Sequence, residues 1–368
     1  MKSKPISFIS GPALLLALMA GAAALILLGT SLHAATNADQ KGTVEMIKVH
    51  GKSLEGNLEG DSPDRDVFVY LPPSYSAEKN RHYPVVYFLH GYGATAEMYW
   101  KLMAEPATAD KLMNDGTIHE FILVNPDAHT LYDGSMYSNS PTTGDWETYI
   151  THDLVRYMDT HYRTIANRDS RGLAGHSMGG YGTMRLAMKY PEVYSSVYAM
   201  SSCCLMNNPG ARRPPAREPA AAKGNEDKAA ARRANIFANV FSAEAAAWSP
   251  DPKNPPKFFD LPTEDGKVRP EIAAKWIANS PLAMVDQYVA NLKAYHAFKM
   301  DVGLQDTLAD TNKEMDASLT ELGVPHTFET YEGNHMNRVK ERFESKVLPF
   351  FSENLTFTAH TAKHKAAE

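Results

Sequence analysis

The chain has 368 residues, a formal net charge of −6 and 43% apolar residues, which is enough for one large α/β domain carrying an insertion. Mild acidity without a concentrated basic face argues against nucleic acid as a partner. Neither Cys-x-x-Cys nor His-Glu-x-x-His occurs, so no metal site is legible and no cofactor is expected.

Lys2 and Lys4 precede an uncharged apolar run from Pro12 to Leu28, and small residues close it near His33-Ala34-Ala35. This reads as a secretory signal peptide over residues 1–35 rather than as an uncleaved anchor, because the run is near the lower limit for spanning and its flanks suit cleavage. The mature protein is expected to be periplasmic or secreted, without stable membrane insertion. The folded domain is expected over 44–355, with a disordered polar tail at 356–368.

The first strands are expected at Met46 to His50 and Asp66 to Leu71, the second with Val67, Val69 and Leu71 on one face. Val85-Val86-Tyr87-Phe88-Leu89 is continuously apolar, as in a parallel strand buried on both faces. It runs into His90-Gly91-Tyr92-Gly93, and Phe121 to Val124 repeats the pattern. A polar and aromatic loop, Tyr132 to Asp145, precedes a helix from Trp146 to about Tyr162. Asp145 is its expected N-cap, and Trp146, Ile150, Leu154 and Met158 form its buried stripe.

Gly172 to Gly175 is a short strand entering Gly175-His176-Ser177-Met178-Gly179, a G-x-S-x-G pattern, with a helix-permissive run after it. Glycines on either side let strand and helix approach, and the serine is held with its hydroxyl exposed. Chance supplies such a pattern in a chain of this length with probability on the order of 0.1, so its weight depends on partners in the right order. The next strand, Val197 to Met200, ends in Ser201-Ser202-Cys203-Cys204. The rhythm then breaks over 206–281, read as an insertion and possible lid over the sheet edge, with low complexity from Ala211 to Ala234. A helix at Tyr288 to Tyr295, a strand at His296 to Val302, a helix at Thr311 to Leu322, a strand at Thr327 to Tyr331 and a helix from about Arg338 to Asn354 complete the chain. About eight strands with interleaved helices imply an α/β fold with a mainly parallel eight-stranded sheet covered on both faces.

A serine hydroxyl needs a base, an acid that orients the base, and two N–H donors for the oxyanion. Ser177, Asp306 and His335 follow in the chain order serine, acid, base, each just past a strand end on one rim of the sheet. Asp301 competes with Asp306 but falls inside a strand, where a structural hydrogen bond is expected. His161 and His326 are read as solvated. Met178 is the first oxyanion donor by its position after the nucleophile, and Tyr92 is the choice for the second. His90 and Gly91 are read as shaping the turn. Tyr132, Tyr137 and Trp146 are candidates to stack on an aromatic acyl group or a sugar, and His176 to pack beside or line that pocket. Cys203 and Cys204, the only cysteines, are read as buried thiols rather than a strained ring.

Taken together, Pro84 to Gly91, Trp146-Glu147-Thr148-Tyr149, Gly175 to Gly182 and Gly333-Asn334-His335 resemble the esterase D family, which includes S-formylglutathione hydrolases, feruloyl and acetyl-xylan esterases, siderophore esterases and secreted mycolyltransferases. The resemblance covers roughly Val44 to Phe351 apart from the insertion. It implies an α/β-hydrolase fold, no metal, a Ser177–Asp306–His335 triad, and oxyanion donors at Tyr92 and Met178. Two departures stand out: the long insertion, and Ser-Ser-Cys-Cys where many relatives have Ser-Gly. The expected activity is that of a secreted serine esterase on a small or carbohydrate-linked ester. Acyl transfer to a sugar or other alcohol, and a catalytically silent binding protein, are the rivals.

Overall fold

Val85, Tyr87 and Leu89 contribute to one apolar core while Val86 and Phe88 contribute to another. A strand whose side chains alternate between faces can be apolar throughout only if both faces are covered, and here they are. The computed structural model describes residues 40–207 and 239–358. The expected signal segment and the low-complexity stretch Ala211 to Ala234 lie outside the described residues.

Eight strands form the main sheet: β1 (Thr43–His50), β2 (Asp64–Leu71), β3 (Val85–Leu89), β4 (Ile122–Pro126), β5 (Arg171–His176), β6 (Ser196–Met200), β7 (Ala297–Gly303) and β8 (Thr327–Tyr331). Their spatial order is β1-β2-β4-β3-β5-β6-β7-β8. The pairs from β4 through β8 are parallel, whereas β2 pairs antiparallel with both β1 and β4. The sheet is therefore mixed, with β2 as the one reversed strand.

Val339, Phe343, Val347, Leu348 and Phe351 of the C-terminal helical stretch pack on one face with Tyr99 and Trp100 of helix Ala96–Met103. The helical stretch over 146–161 and helix Met178–Lys189 cover the other. Trp146, Ile150, Leu154 and Met158 are all buried, as the stripe requires. The N-cap expectation is corrected: Asp145 makes no side-chain capping bond. Asn139 Oδ1 takes that role, accepting from the N–H groups of Glu147 (2.8 Å) and Thr148 (3.3 Å), because a two-residue ribbon pairs Asn139 with Asp145.

The described part of the insertion is built into the core. Residues 239–248 are helical. Trp248 packs on Tyr181 and on Trp276 with ring centroids 5.5 Å apart in both cases, and Tyr181 donates to the Asn279 carbonyl. At the C-terminal end of the described residues the Thr356 N–H donates to the Asp169 carbonyl, and Phe357 packs on His119; the rest of the expected tail, 359–368, lies outside the described residues. Among the described residues no helix is long and apolar enough to cross a membrane.

Candidate active site

Strand β5 delivers the chain to Ser177, whose backbone sits at φ 59°, ψ −114°. This is a costly conformation for a residue with a Cβ, and it persists because the surroundings fix it. The Ser177 N–H donates to the Met200 carbonyl, and its own carbonyl accepts from Tyr181 and Cys203. The glycines are a steric necessity: a Cβ on Gly179 would collide with the Leu89 carbonyl, and one on Gly175 with the backbone of Gly179.

Strands β7 and β8 supply the partners. His335 Nε2 lies 2.9 Å from Ser177 Oγ, and His335 Nδ1 lies 2.8 Å from Asp306 Oδ2. Since a carboxylate only accepts, Nδ1 carries the proton and Nε2 faces the hydroxyl as acceptor. Burial alone would raise the Asp306 pKa. Hydrogen bonds from His335 and from the Leu308 N–H, with the nearby imidazole, hold it below its ordinary value instead. Asp301 is elsewhere, buried in β7 and bonded to Tyr198 and Arg342.

Two residues that hold this arrangement were not singled out from sequence. Gln305 clamps the two loops: its N–H donates to the Gly333 carbonyl, and its side-chain oxygen accepts the Gly333 N–H at 2.7 Å. Asn312, wholly buried, bonds both the N–H and the carbonyl of Ser202. A long amide beside Asp306 was the only trace of the first in the sequence. The second is visible only once helix Ala309–Glu321 packs beside β7 and brings Asn312 to the turn after β6.

Met178 opens helix Met178–Lys189, so its N–H has no acceptor within the helix. The backbone of Gly91, one residue before Tyr92, runs so close to the nucleophile that an added Cβ would stand 3.3 Å from Ser177 Cβ. His90 is buried and fixes this loop: one ring nitrogen bonds the Gly91 carbonyl and the other accepts the Ala128 N–H.

The pocket expectations need correction. Tyr137, Trp146 and His176 are buried and present no surface to a ligand. Tyr137 donates to the His90 carbonyl, and Trp146 donates to Thr143 under the guanidinium of Arg65. Tyr132 alone of the four is half-exposed, edge-on to Phe259. His176 lies behind the site, with Nδ1 2.6 Å from the Tyr99 hydroxyl and Nε2 2.9 Å from the His335 carbonyl. A carbonyl only accepts, so Nε2 is protonated and Nδ1 takes the Tyr99 proton. Burial, then the neighbouring His335, lowers its pKa to about 3, so it remains neutral. His326 also departs from expectation: its ring is buried and bonded to Val324 and Asp316.

A single reversed strand second from the edge, a serine on a strained turn after β5, and an acid and imidazole after β7 and β8 define the α/β-hydrolase fold. The chain belongs to the Esterase family, whose model matches residues 62–346, in agreement with the resemblance drawn from the motifs. It is 32% identical to an esterase of Mycobacterium tuberculosis over 138 residues, 37% of this chain and 28% of that protein. It is 31% identical to an endo-1,4-beta-xylanase/feruloyl esterase of Xylanibacter ruminicola over 132 residues, 34% of this chain and 18% of that protein. These matches thus take in under a third of each relative's length. A solved ferulic acid esterase shares the fold with a TM-score of 0.57 at 22% identity, over 86% of this chain and 100% of that one.

Proposed function

We propose that this chain is a serine carboxylic-ester hydrolase that works through an acyl-enzyme. The observation that carries the reading is the continuous hydrogen-bonded line from Ser177 Oγ through His335 to Asp306. His335 Nε2 takes the hydroxyl proton as Oγ attacks the ester carbonyl, and the oxyanion forms toward the N–H groups of Met178 and Tyr92. Collapse expels the alcohol, which leaves with the proton returned by His335, and water then cleaves the acyl-enzyme by the same route. Asp306 stays ionised and stabilises the imidazolium formed at each step.

Small soluble or carbohydrate-linked esters of acetyl or feruloyl type are the proposed substrates. The name of the xylanase/feruloyl esterase relative supports the feruloyl, carbohydrate-linked part of that class, and so does the half-exposed ring of Tyr132. Residues 1–35 read as an export signal, so periplasmic or secreted action is part of the proposal. A panel of p-nitrophenyl and feruloyl esters, each run with wild type and Ser177→Ala, tests it. Burst kinetics are expected in wild type and their loss in the variant, and an undiminished rate in Ser177→Ala would overturn the mechanism.

A further inference from the structure

Beyond β6 the chain turns sharply, with positive φ at Ser201 (41°) and Cys204 (55°). Such conformations persist only where the surroundings impose them. Here the Ser201 N–H donates to the Asp301 carbonyl, Ser202 is held by Asn312, and the Cys203 N–H donates to the Ser177 carbonyl at 3.1 Å. The turn brings two adjacent side chains, which would diverge in a strand, to the same side. Cys203 Sγ and Cys204 Sγ are 2.8 Å apart. Both cysteines are free and half-buried, more open than the sequence suggested. Cys204 Sγ also faces Glu244 Oε1 at 3.6 Å.

We infer that Cys203 and Cys204 are a reversible redox site, a vicinal dithiol that closes to an eight-membered disulfide ring and thereby alters the reactivity of Ser177. The oxidant is a low-molecular-weight disulfide. The Cys203 thiolate attacks one of its sulfurs, forming a mixed disulfide and expelling one thiolate. Cys204 then attacks the Cys203 sulfur, passing its proton to the second departing thiolate. The two cysteines lose two electrons and two protons, and the small disulfide becomes two thiols. The order follows from the geometry: Cys204 Sγ faces the Glu244 carboxylate, which disfavours a thiolate there, and the Cys203 thiol, burial and Glu244 raise its pKa, so Cys203 attacks first.

Ring strain makes this a switch rather than a staple. Adjacent Cα atoms are about 3.8 Å apart across a trans peptide, short of the roughly 4.4–6.8 Å that relaxed disulfides span. Strained bridges are the readily reduced ones. Closing the ring must twist the Cys203–Cys204 peptide, and that distortion reaches, through the Cys203 Cα, the neighbouring N–H that holds the Ser177 carbonyl.

The chain has only two cysteines, so any intramolecular disulfide is this one. The test equilibrates the full chain with oxidised glutathione and follows thiol titre, intact mass and oligomeric state, then compares fluorophosphonate labelling rates of the two forms. The titre is expected to fall from two thiols to none, with loss of two hydrogens, no retained glutathione and no dimer, and dithiothreitol is expected to reverse it. Cys204→Ser is expected to trap one glutathione on Cys203. Labelling of the oxidised form is expected to slow several-fold, with no such change in the Cys203→Ser/Cys204→Ser double variant. Two persisting thiols, a stable adduct on the wild type or a disulfide-linked dimer would overturn the ring. Equal labelling of the open and closed forms would overturn the coupling to Ser177. The coupling rests on the proposed role of Ser177, the ring does not: a chain that labels in neither form would remove the ester reading and the coupling, while the thiol count decides the ring.

Discussion

Replacing His176 by phenylalanine keeps a flat ring in the space behind the site but removes both of its hydrogen bonds. The Tyr99 hydroxyl and the His335 carbonyl are left without these partners, at about 1–3 kcal/mol each, so a loss of roughly 2–6 kcal/mol is expected near pH 7. The gap between the two proteins must then depend on pH. His176 has its pKa lowered from 6.5 to about 3 on folding, so below pH 6.5 the unfolded chain binds a proton that the folded chain refuses. That group therefore removes stability from the wild type as pH falls, at about 1.4 kcal/mol per pH unit, and the variant lacks the term. Urea unfolding at pH 7 and pH 4 should show the gap narrowing by roughly 3 kcal/mol. Ester turnover at pH 7 should fall about 10–100-fold, because the His335 backbone is no longer held in register with Ser177. Parallel stability curves over this range would refute the claim that His176 is a buried, neutral tie to the base.

Asp306→Asn preserves shape but offers the His335 Nδ1–H no anionic acceptor, and kcat should drop about 10³–10⁴-fold with little change in KM, measured on an activated ester. Gly179→Ala drives a methyl group into the Leu89 carbonyl; differential scanning calorimetry should show a lowered transition and fluorophosphonate labelling should be lost. Glu147 is wholly buried between Arg185 (2.8 Å), Lys189 and the Tyr190 hydroxyl. Although burial would raise its pKa, the two cations hold it below the ordinary value. Glu147→Ala therefore strands the buried Arg185 charge, with an expected loss of about 3–5 kcal/mol in urea unfolding.

Much of the strand framework was legible because burial on both faces forces an unbroken apolar run. Val85 to Leu89 could be delimited without reference to any other element. The order of Ser177, Asp306 and His335 was also legible, since each stands within a few residues of a strand end and the turn glycines are sterically obligatory. The reversed direction of β2 was not, because apolar alternation along a strand says nothing about which neighbour it pairs with.

The pocket assignments failed for a related reason. Tyr137 belongs to the polar and aromatic loop before the 146–161 helix, Trp146 opens that helix, and His176 stands beside the nucleophile in sequence. Whether such a side chain lines a cleft or closes a core depends on what packs over it. Here His90 packs edge-on to Tyr137, Tyr149 and Arg65 cover Trp146, and Tyr99 and His335 flank His176; His90 and Tyr99 also satisfy polar atoms of Tyr137 and His176 from distant parts of the chain. Local composition determined the alternation of strands and helices and the chemistry available at their ends. Only the tertiary structure decided which polar atoms of Tyr137 and His176 found partners, because those partners lie tens to more than a hundred residues away and are chosen by packing.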